Sequence, residues 1–471
     1  MFQTLKNAWR TKEIRGKILF TLFILLLYRI GTVIPVPFVD ANTFSDTFGD
    51  TILSYMNTLS GGALGAATLF ALGVSPYINA SIIIQLLAIV FPKLGEIAKN
   101  DKKKMNFITR IVTMILAVVT AIGYYYLLKV QGSLSITVLH SNIGWLYAIV
   151  IVACYVAGAA LIMWLGERIN EKGIGNGISL ILFANIIASV PPFIYKLVEF
   201  VKETYSFKEY NDKLANAWLY PLIATIFGVV FLAFMVALIV FVILVTGSER
   251  RIPVQYAKKV VGRKMYGGQS SHLPIKLNMT GVMPIIFASS IVSLAPTIIM
   301  LCQPEEGTFW DKVNHALDAS GFIYPTLLFL LIIAFAYFYT QITFDPMEVS
   351  NNLQKQGGAI PGIRQGRPTA MYIRKILNKV TLVGALFLGF IAVLPVLLGP
   401  HAIEHLLTWL WSARFPNPAT SAATIESYVS SMSSVFTFGG TTLLIMVGVA
   451  IETFRELEAQ LTMRNYKGFL N

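Results

Sequence analysis

Long hydrophobic runs separated by charged connections dominate the pattern of this sequence. Ten runs carry few or no charged residues, and each is long enough for one helical crossing of a bilayer, which needs about 20 residues. The pattern therefore predicts an all-α polytopic membrane protein with ten spans. The predicted spans cover 18–36, 51–92, 111–128, 143–166, 173–195, 215–247, 277–303, 319–344, 380–400 and 427–451.

The second run, 51–92, is nearly long enough to cross the membrane twice. Residues 37–50 before it contain Asp but no Lys or Arg, whereas Lys93 begins a basic connection. Because the two ends then lie on opposite sides, we expect 54–70 to enter the membrane and turn back. Irregular backbone at that depth is tolerated where protein buries it or where it lines a water-filled cavity. A helix pair lying at the interface is the open alternative.

Basic residues alternate between rich and poor connections along the chain. Of the 37 Lys and Arg, 29 fall on one side and seven on the other, and only Arg29 lies inside a predicted span. Lys and Arg are retained on the cytoplasmic side, so we expect both termini in the cytoplasm. The composition agrees with a membrane protein, since only 13% of residues are charged, about half the fraction in soluble domains.

Residues that could carry catalysis are scarce in the predicted spans. Arg29, Asp345 and Glu452 lie near span ends, where a charged side chain can reach the interface. The sequence contains no phosphate loop, HExxH or GxSxG motif, and its two cysteines have no CxxC spacing. We therefore expect no enzyme activity, no cofactor and no metal site. A metal pair at His401 and His405 is a weaker alternative.

Two connections on the basic side, 248–278 and 345–379, are longer than the others. Together they contain 13 Lys and Arg, and both include Gly and Pro residues typical of loops. Basic surfaces of this kind bind acidic or nucleic-acid partners through charge. Orientation by positive charge alone is the alternative, but it does not explain their length.

A series of segments, spread in order over nearly the whole chain, carries a family resemblance. The segments are GGAL at 61–64, FALGVSPYI at 70–78, ASIIIQLL at 80–87, WLGE at 164–167, GIGNGIS at 173–179, RRIPVQYA at 250–257, SHLP at 271–274, PGIR at 361–364 and FGGT at 438–441. They resemble the bacterial SecY family, the channel subunit of the Sec translocon. The external connections 196–220, 303–320 and 400–433 are longer or different.

The resemblance implies ten transmembrane helices in two pseudo-symmetric five-helix halves around an hourglass pore, with a re-entrant plug helix. The N-terminal half would cover 1–200, and an external hinge connection would follow at 201–217. The C-terminal half would cover 218–455, before a cytoplasmic tail at 456–471. The expected location is the bacterial plasma (inner) membrane.

Six aliphatic residues would form the pore ring of this family. They are Val74, Ile78, Ile178, Leu182, Ile286 and Ile445. The first two pairs are each four residues apart, so each pair shares one helix face. Such a ring offers a hydrated ion no polar ligand, yet it can deform around a passing polypeptide. The alternative is that these residues simply face lipid or neighbouring helices.

The resemblance places the plug at about 55–67. Its predicted residues are Tyr55, Asn57, Ser60, Gly61, Gly62, Ala63, Leu64, Gly65 and Ala67. Small residues favour close but weak packing, as a movable stopper requires, although they also serve ordinary helix contacts.

The lateral gate would lie between the second and seventh spans. Its predicted residues are Asn79, Gln85, Ser289, Ser290 and Leu294. Hydrogen bonds between membrane helices contribute about 1 kcal/mol. We therefore expect a seam that opens when an apolar signal sequence replaces the contact. Static contact between helices is the alternative.

The resemblance also implies partners. The docking residues would be Arg250, Arg251, Lys258, Arg263, Arg364 and Arg367. The partners would be the SecA ATPase, the ribosome, SecE and SecG-type small membrane subunits, signal sequences, unfolded preproteins and membrane lipid.

The favoured function is the central channel-forming subunit of the Sec translocon. It would pass unfolded secretory polypeptides across the membrane and release apolar segments laterally into lipid. A secondary transporter for a small solute is the alternative, because broken helices fit it too. The scarcity of ionisable residues at the membrane midplane counts against a transporter.

Overall fold

The computed structural model describes most of the chain. The described residues are 2–39, 52–130, 144–210, 219–256, 259–261, 264–266, 270–302, 323–397 and 440–467, with the single residues Gly132, Leu134 and Val313. Most of them are helical.

The elements follow one another as helices interrupted by one group of short strands. In chain order they are α1 Phe2–Arg10, α2 Lys12–Gly31, α3 Ile52–Leu59, α4 Ser75–Val90, α5 Pro92–Asn100, α6 Lys102–Val130, α7 Gly144–Lys172, α8 Gly177–Tyr210, α9 Leu219–Gly247, β1 Glu249–Tyr256, β2 Lys259–Val261, β3 Lys264–Tyr266, β4 Ser270–Lys276, α10 Met283–Cys302, α11 Ile323–Thr343, α12 Pro346–Lys355, β5 Gly358–Ala359, α13 Arg367–Leu397 and α14 Gly440–Lys467.

Six helices in the described part of the chain are long and apolar enough to cross a membrane. The pair α4 and α5 would make a seventh span, but it is bent by 119° where α4 ends. In addition, α10 contains a shorter apolar helix, Met283–Ser293. These helices confirm the predicted polytopic all-α fold. The count of ten spans stays a prediction.

Helix contacts divide the long helices into two groups. In the first group, α7 contacts α2, α6 and α8, and α4 contacts α6; in the second, α11 contacts α10 and α13, and α14 contacts α9 and α13. The groups meet along two seams. At one seam α8 contacts α9 and α14, and at the other α4 contacts α10.

Two helices continue past their predicted spans into the segments predicted as a hinge and a tail. Helix α8 continues to Tyr210, into the segment predicted as a hinge, and α14 continues to Lys467, into the predicted tail. Each extension contains three Glu residues, and Glu is a good helix former. The extension of α14 is not a free tail, because its Leu457 is buried in a cluster with Ala8 and Ile174.

The described parts of the two long basic connections form one unit, which we call the basic platform. It consists of β1, β4, β5, α12, the start of α13 and the described residues between α12 and α13. Strand β1 pairs antiparallel with β4 along one edge and with β5 along the other. Ile252 and Val254 of β1 are buried, while the residues that alternate with them are exposed. Their cluster consists of Ile252, Val254, Ile275, Leu353, Ile360, Ile373 and Leu377. The sequence had predicted two separate loops.

Candidate functional site

The six predicted ring residues are buried in one continuous apolar cluster. They are Val74, Ile78, Ile178, Leu182, Ile286 and Ile445, with 1% to 8% of their surface exposed. Val74 precedes α4 and Ile78 lies in its first turn, whereas the other four lie on α8, α10 and α14. The cluster therefore joins side chains from both helix groups.

The start of α8 is fixed by glycines and asparagines. A Cβ atom at Gly177 would lie 2.0 Å from the carbonyl oxygen of Gly166, so only glycine permits this approach of α7 and α8. The Gly177 N–H donates to Asn170 Oδ1 at 2.7 Å, and the Ile178 N–H donates to Asn176 Oδ1 at 3.2 Å. These bonds satisfy N–H groups that a helix start leaves unpaired. The GIGNGIS segment therefore positions Ile178.

The predicted plug, at 55–67, lies in α3 and in the compact turn that follows it at 60–74, which we call the plug turn. Asn57 Oδ1 accepts a hydrogen bond from the Gly65 N–H at 2.8 Å. Ser60 Oγ accepts from the Leu64 N–H at 3.0 Å and donates to the Asn57 carbonyl at 2.9 Å. Gly61 and Gly62 have φ angles of 69° and 87°, a conformation that favours glycine. The Tyr55 side chain lies outside the described residues.

Neighbouring elements hold the plug turn through its backbone carbonyls. The Tyr124 hydroxyl donates to the Leu64 carbonyl, and the Tyr155 hydroxyl donates to the Ala67 carbonyl at 3.5 Å. Ser60, Ala63, Leu64 and Ala67 are all buried. The turn also pairs with the end of the first span, since the Leu69 N–H donates to the Ile34 carbonyl at 2.9 Å. The small residues thus pack more specifically than their composition led us to expect.

Two polar residues inside predicted spans, Asn185 and Arg29, lie against the plug, and the sequence did not predict this. Asn185 of α8 is fully buried, and its Nδ2 group donates to the Leu59 carbonyl and to the Tyr28 hydroxyl, both at 2.9 Å. Arg29 was expected to reach the interface, but its Nη1 atom is buried close to the plug turn at Gly61. The only feature of the sequence that could have indicated these two contacts is the presence of polar residues inside otherwise apolar spans.

At the predicted gate, α4 contacts α10. Gln85 Nε2 donates to Ser81 Oγ at 3.0 Å, and Ser289 Oγ donates to the Ile286 carbonyl at 3.0 Å. The first bond lies within α4 and the second within α10, so these two hydrogen bonds do not bridge the seam. Asn79 is buried, and its Oδ1 atom has no hydrogen-bond partner among the described residues. Ser290 is half-buried, and the Leu294 side chain lies outside the described residues.

The predicted docking arginines lie on the basic platform. Arg250, Arg251, Arg364 and Arg367 are exposed. Arg251 Nε lies 2.7 Å from Glu249 Oε1, so the charge of Arg251 is paired. The charges of Arg250, Arg364 and Arg367 are therefore the more available to a partner. Lys258 and Arg263 lie outside the described residues.

Two positively charged residues, Lys276 and Arg455, lie near each other beside the platform, at the end of β4. Partial burial lowers the pKa of Lys276, and the nearby positive charge of Arg455 lowers it further. Arg455 is held in place because its Nη2 group donates to the Thr246 carbonyl at 3.0 Å, at the end of α9. Cationic groups at a helix C-terminus are favourable, so Arg455 ties α14 to α9.

A strong ion pair joins α6 to α7. Both Arg110–Glu167 contacts are short, with Nε 2.7 Å from Oε1 and Nη2 2.6 Å from Oε2. Paired contacts of this kind fix the geometry of the two side chains. Within the described part of the chain, no group of three His, Cys, Asp or Glu could hold a metal ion. His401 and His405 lie outside that part.

The fold is that of a polytopic protein-conducting channel. One similar solved structure is of a protein-conducting channel, with a TM-score of 0.58 and 17% identity, covering 94% of this chain and 92% of the other. Equal values are found for a SecY protein whose plug domain stabilises the closed state of the translocation channel and maintains a membrane seal. Sec61 from a canine ribosome-channel complex has a TM-score of 0.55, with 17% identity and coverage of 94% and 92%.

The sequence comparisons identify the family. The SecY family model matches residues 68–454. Protein translocase subunit SecY of Streptomyces scabiei is 39% identical, and that of Mycobacterium bovis is also 39% identical, over the full length of both chains in each case. The chain belongs to the SecY family, and the family predicted from the sequence is confirmed.

Family membership also decides between the predicted functions. The SecY family is a protein translocation channel and not a known enzyme. This chain is therefore the channel-forming subunit of a multi-pass membrane translocon. The alternative of a small-solute transporter is not supported.

Proposed function

We propose that the six buried aliphatic residues close the channel as a ring and part for an unfolded polypeptide. The observation that supports this role is their position in one apolar cluster, contributed by α4, α8, α10 and α14. Helices of both groups meet there, so an increase in the distance between the two groups would widen the constriction directly.

The chemistry of the ring explains its selectivity. An ion that enters must lose water, and aliphatic side chains supply no ligand in exchange. An extended polypeptide instead presents side chains against which the ring can pack. The chain therefore conducts secretory polypeptides of many sequences while resisting ion flow.

The plug and the gate complete this proposal. The plug, at about 55–67, closes the channel at rest, and the seam between α4 and α10 opens toward lipid. Because Gln85 and Ser289 form hydrogen bonds inside their own helices, an apolar signal sequence can replace the seam contact without breaking those bonds. Apolar segments leave laterally by this route.

The partners and the orientation belong to the same proposal. The basic platform would face the cytoplasm, together with both termini, in the bacterial plasma membrane. Its exposed Arg250, Arg364 and Arg367 suit the SecA ATPase and ribosomal RNA phosphates, which positive charge attracts. SecE and SecG-type subunits would contact the helices from lipid. Two of the similar structures are of ribosome-bound complexes.

The ring is tested by making it polar. Replacing Ile78 and Ile286 together with Asn should raise resting ion conductance in planar bilayers, because amide groups can replace water around an ion. The control is Ile83→Asn, since Ile83 lies on α4 but is 38% exposed. Equal conductance in the ring and control variants would exclude these residues from the constriction.

Docking is tested by reversing one charge. Arg364→Glu should slow motor-driven export of a secreted reporter, while the variant still inserts into the membrane at the normal level. Lys355→Glu, on α12 of the same platform, is the matched charge control. Export at the unaltered rate would remove Arg364 from the docking surface.

A further inference from the structure

Gly61 lies where two buried polar side chains converge on the plug turn. A Cβ atom at this position would lie 2.8 Å from Arg29 Nη1 of α2 and 2.8 Å from Asn185 Oδ1 of α8. Both atoms are buried and have no hydrogen-bond partner among the described residues. A donor and an acceptor from two different spans therefore border the space that a side chain at Gly61 would occupy.

The Asn185 amide performs a second task at this point. Its Nδ2 group donates to the Leu59 carbonyl, at the end of α3, and to the Tyr28 hydroxyl. The Tyr28 ring in turn stacks on Phe70 at 5.3 Å, at the other end of the plug turn. The Asn185 side chain thus links α8 directly to Leu59, just before the turn, and through Tyr28 to Phe70, toward its far end.

We propose that Arg29 and Asn185 form a two-part latch for the plug, in which the Asn185 amide holds the plug closed and the Arg29 guanidinium favours its release. This inference rests on the proposed function of the plug. It assigns positioning roles to two residues outside the plug, the ring and the gate.

The two effects have opposite signs for a physical reason. The bond from Asn185 to Leu59 exists only while the plug is seated, so it stabilises the closed state. In that state the buried Arg29 Nη1 has no hydrogen-bond partner among the residues that the structure describes, and an unpaired buried donor is unfavourable. Movement of the plug would let water or Asn185 Oδ1 reach this N–H, which favours opening.

The first test compares two neighbouring glycines. Gly61 and Gly62 both have positive φ angles, so Ala at either position meets the same kind of backbone strain. Only Gly61 faces Arg29 and Asn185, because a Cβ atom at Gly62 would contact nothing within 4 Å. Gly61→Ala should therefore open the resting channel complex in planar bilayers far more often than Gly62→Ala. Equal opening frequencies in the two variants would mean that the contact of Arg29 and Asn185 with Gly61 does not control the plug, and the latch would be wrong.

The second test separates the two parts of the latch. Asn185→Leu should raise the resting opening frequency about five-fold or more, the change expected for one lost hydrogen bond. Arg29→Met should lower it by a similar factor. Thr113→Val removes a buried polar group whose bond lies inside its own helix, and it should have little effect. A higher opening frequency in Arg29→Met would overturn the release role.

Deletion of 55–67 separates failure of the latch from failure of the plug. In the deleted channel, Asn185→Leu and Arg29→Met should no longer change conductance, because their partner is gone. Effects that persist there would assign both residues to general stability and overturn the latch. If the deletion itself leaves resting conductance unchanged, the proposed plug function is wrong.

Discussion

The plug turn and the gate seam use their polar groups in opposite ways. In the plug, Tyr124 and Asn185 donate to backbone carbonyls of a different segment. At the gate, Gln85 and Ser289 donate within their own helices. The plug is therefore attached to the scaffold by specific bonds, whereas these two gate residues leave the seam to apolar contact.

This difference indicates that the two proposed movements, plug displacement and lateral opening, are triggered differently. Lateral opening replaces one apolar contact by another, and a hydrophobic segment can supply that replacement itself. Plug displacement breaks directional hydrogen bonds in a place where each unpaired group costs about 1–3 kcal/mol. We therefore expect plug displacement to be coupled to a rearrangement of α2, α6 or α8, the helices that carry Arg29, Tyr124 and Asn185.

The largest expected effect comes from disturbing the backbone contact of the plug. A Cβ atom at Gly158 of α7 would lie within van der Waals radii of the Leu69 carbonyl oxygen, at 1.9 Å. Gly158→Ala should therefore displace the turn, reduce stability by about 3 kcal/mol or more and raise resting conductance. Thermal unfolding of the purified protein and bilayer recordings measure the two effects.

The matched control for this change is Gly16→Ala in α2. A Cβ atom there would contact nothing within 4 Å, and Ala is favoured over Gly inside a helix by about 1 kcal/mol. This variant should be as stable as the natural protein or more so. If Gly158→Ala behaved in the same way, the close contact between α7 and the plug would be wrong.

A smaller effect is expected from removing one phenolic hydroxyl. Tyr124→Phe leaves the buried Leu64 carbonyl without its donor, which should destabilise the seated plug by about 1–3 kcal/mol. Tyr155→Phe is the comparison, because its bond to Ala67 is long at 3.5 Å and weak at that distance. Resting conductance should rise more in Tyr124→Phe. The reverse order would mean that the hydroxyl bonds do not hold the plug.

Much of the helical architecture could be predicted from hydrophobic runs. Uncharged segments of about 20 residues leave few alternatives to a membrane helix, and the described helices overlap all ten predicted spans. The motif around Ile178 carried part of the family resemblance, and the structure adds that its Gly177 permits the close approach of α7 and α8. The sequence was accurate where local composition determines the backbone.

Contacts between distant segments could not be predicted in this way. Gln255 of β1 pairs with Ala359 of β5 across the two basic connections. Strand β5 has only two residues, which is too short to show an alternating pattern. Asn185 and Leu59 are separated by 126 residues, and nothing near either residue marks the pair. Arg29 was assigned to the interface because long charged side chains usually reach it, and only the packing of the plug turn changes that interpretation.

The smallest effect is expected at the gate. Gln85→Leu combined with Ser289→Ala removes two polar groups that bond inside their own helices, so seam stability should change by less than about 1 kcal/mol. Ile82→Ala, buried on the same helix in the apolar cluster, should cost more, about 2–5 kcal/mol. Disulfide trapping across α4 and α10 during export of a reporter would measure how often the seam opens. A strong change in the polar double variant, larger than that of Ile82→Ala, would mean that hydrogen bonds form across the seam in another state, and the contrast with the plug would then disappear.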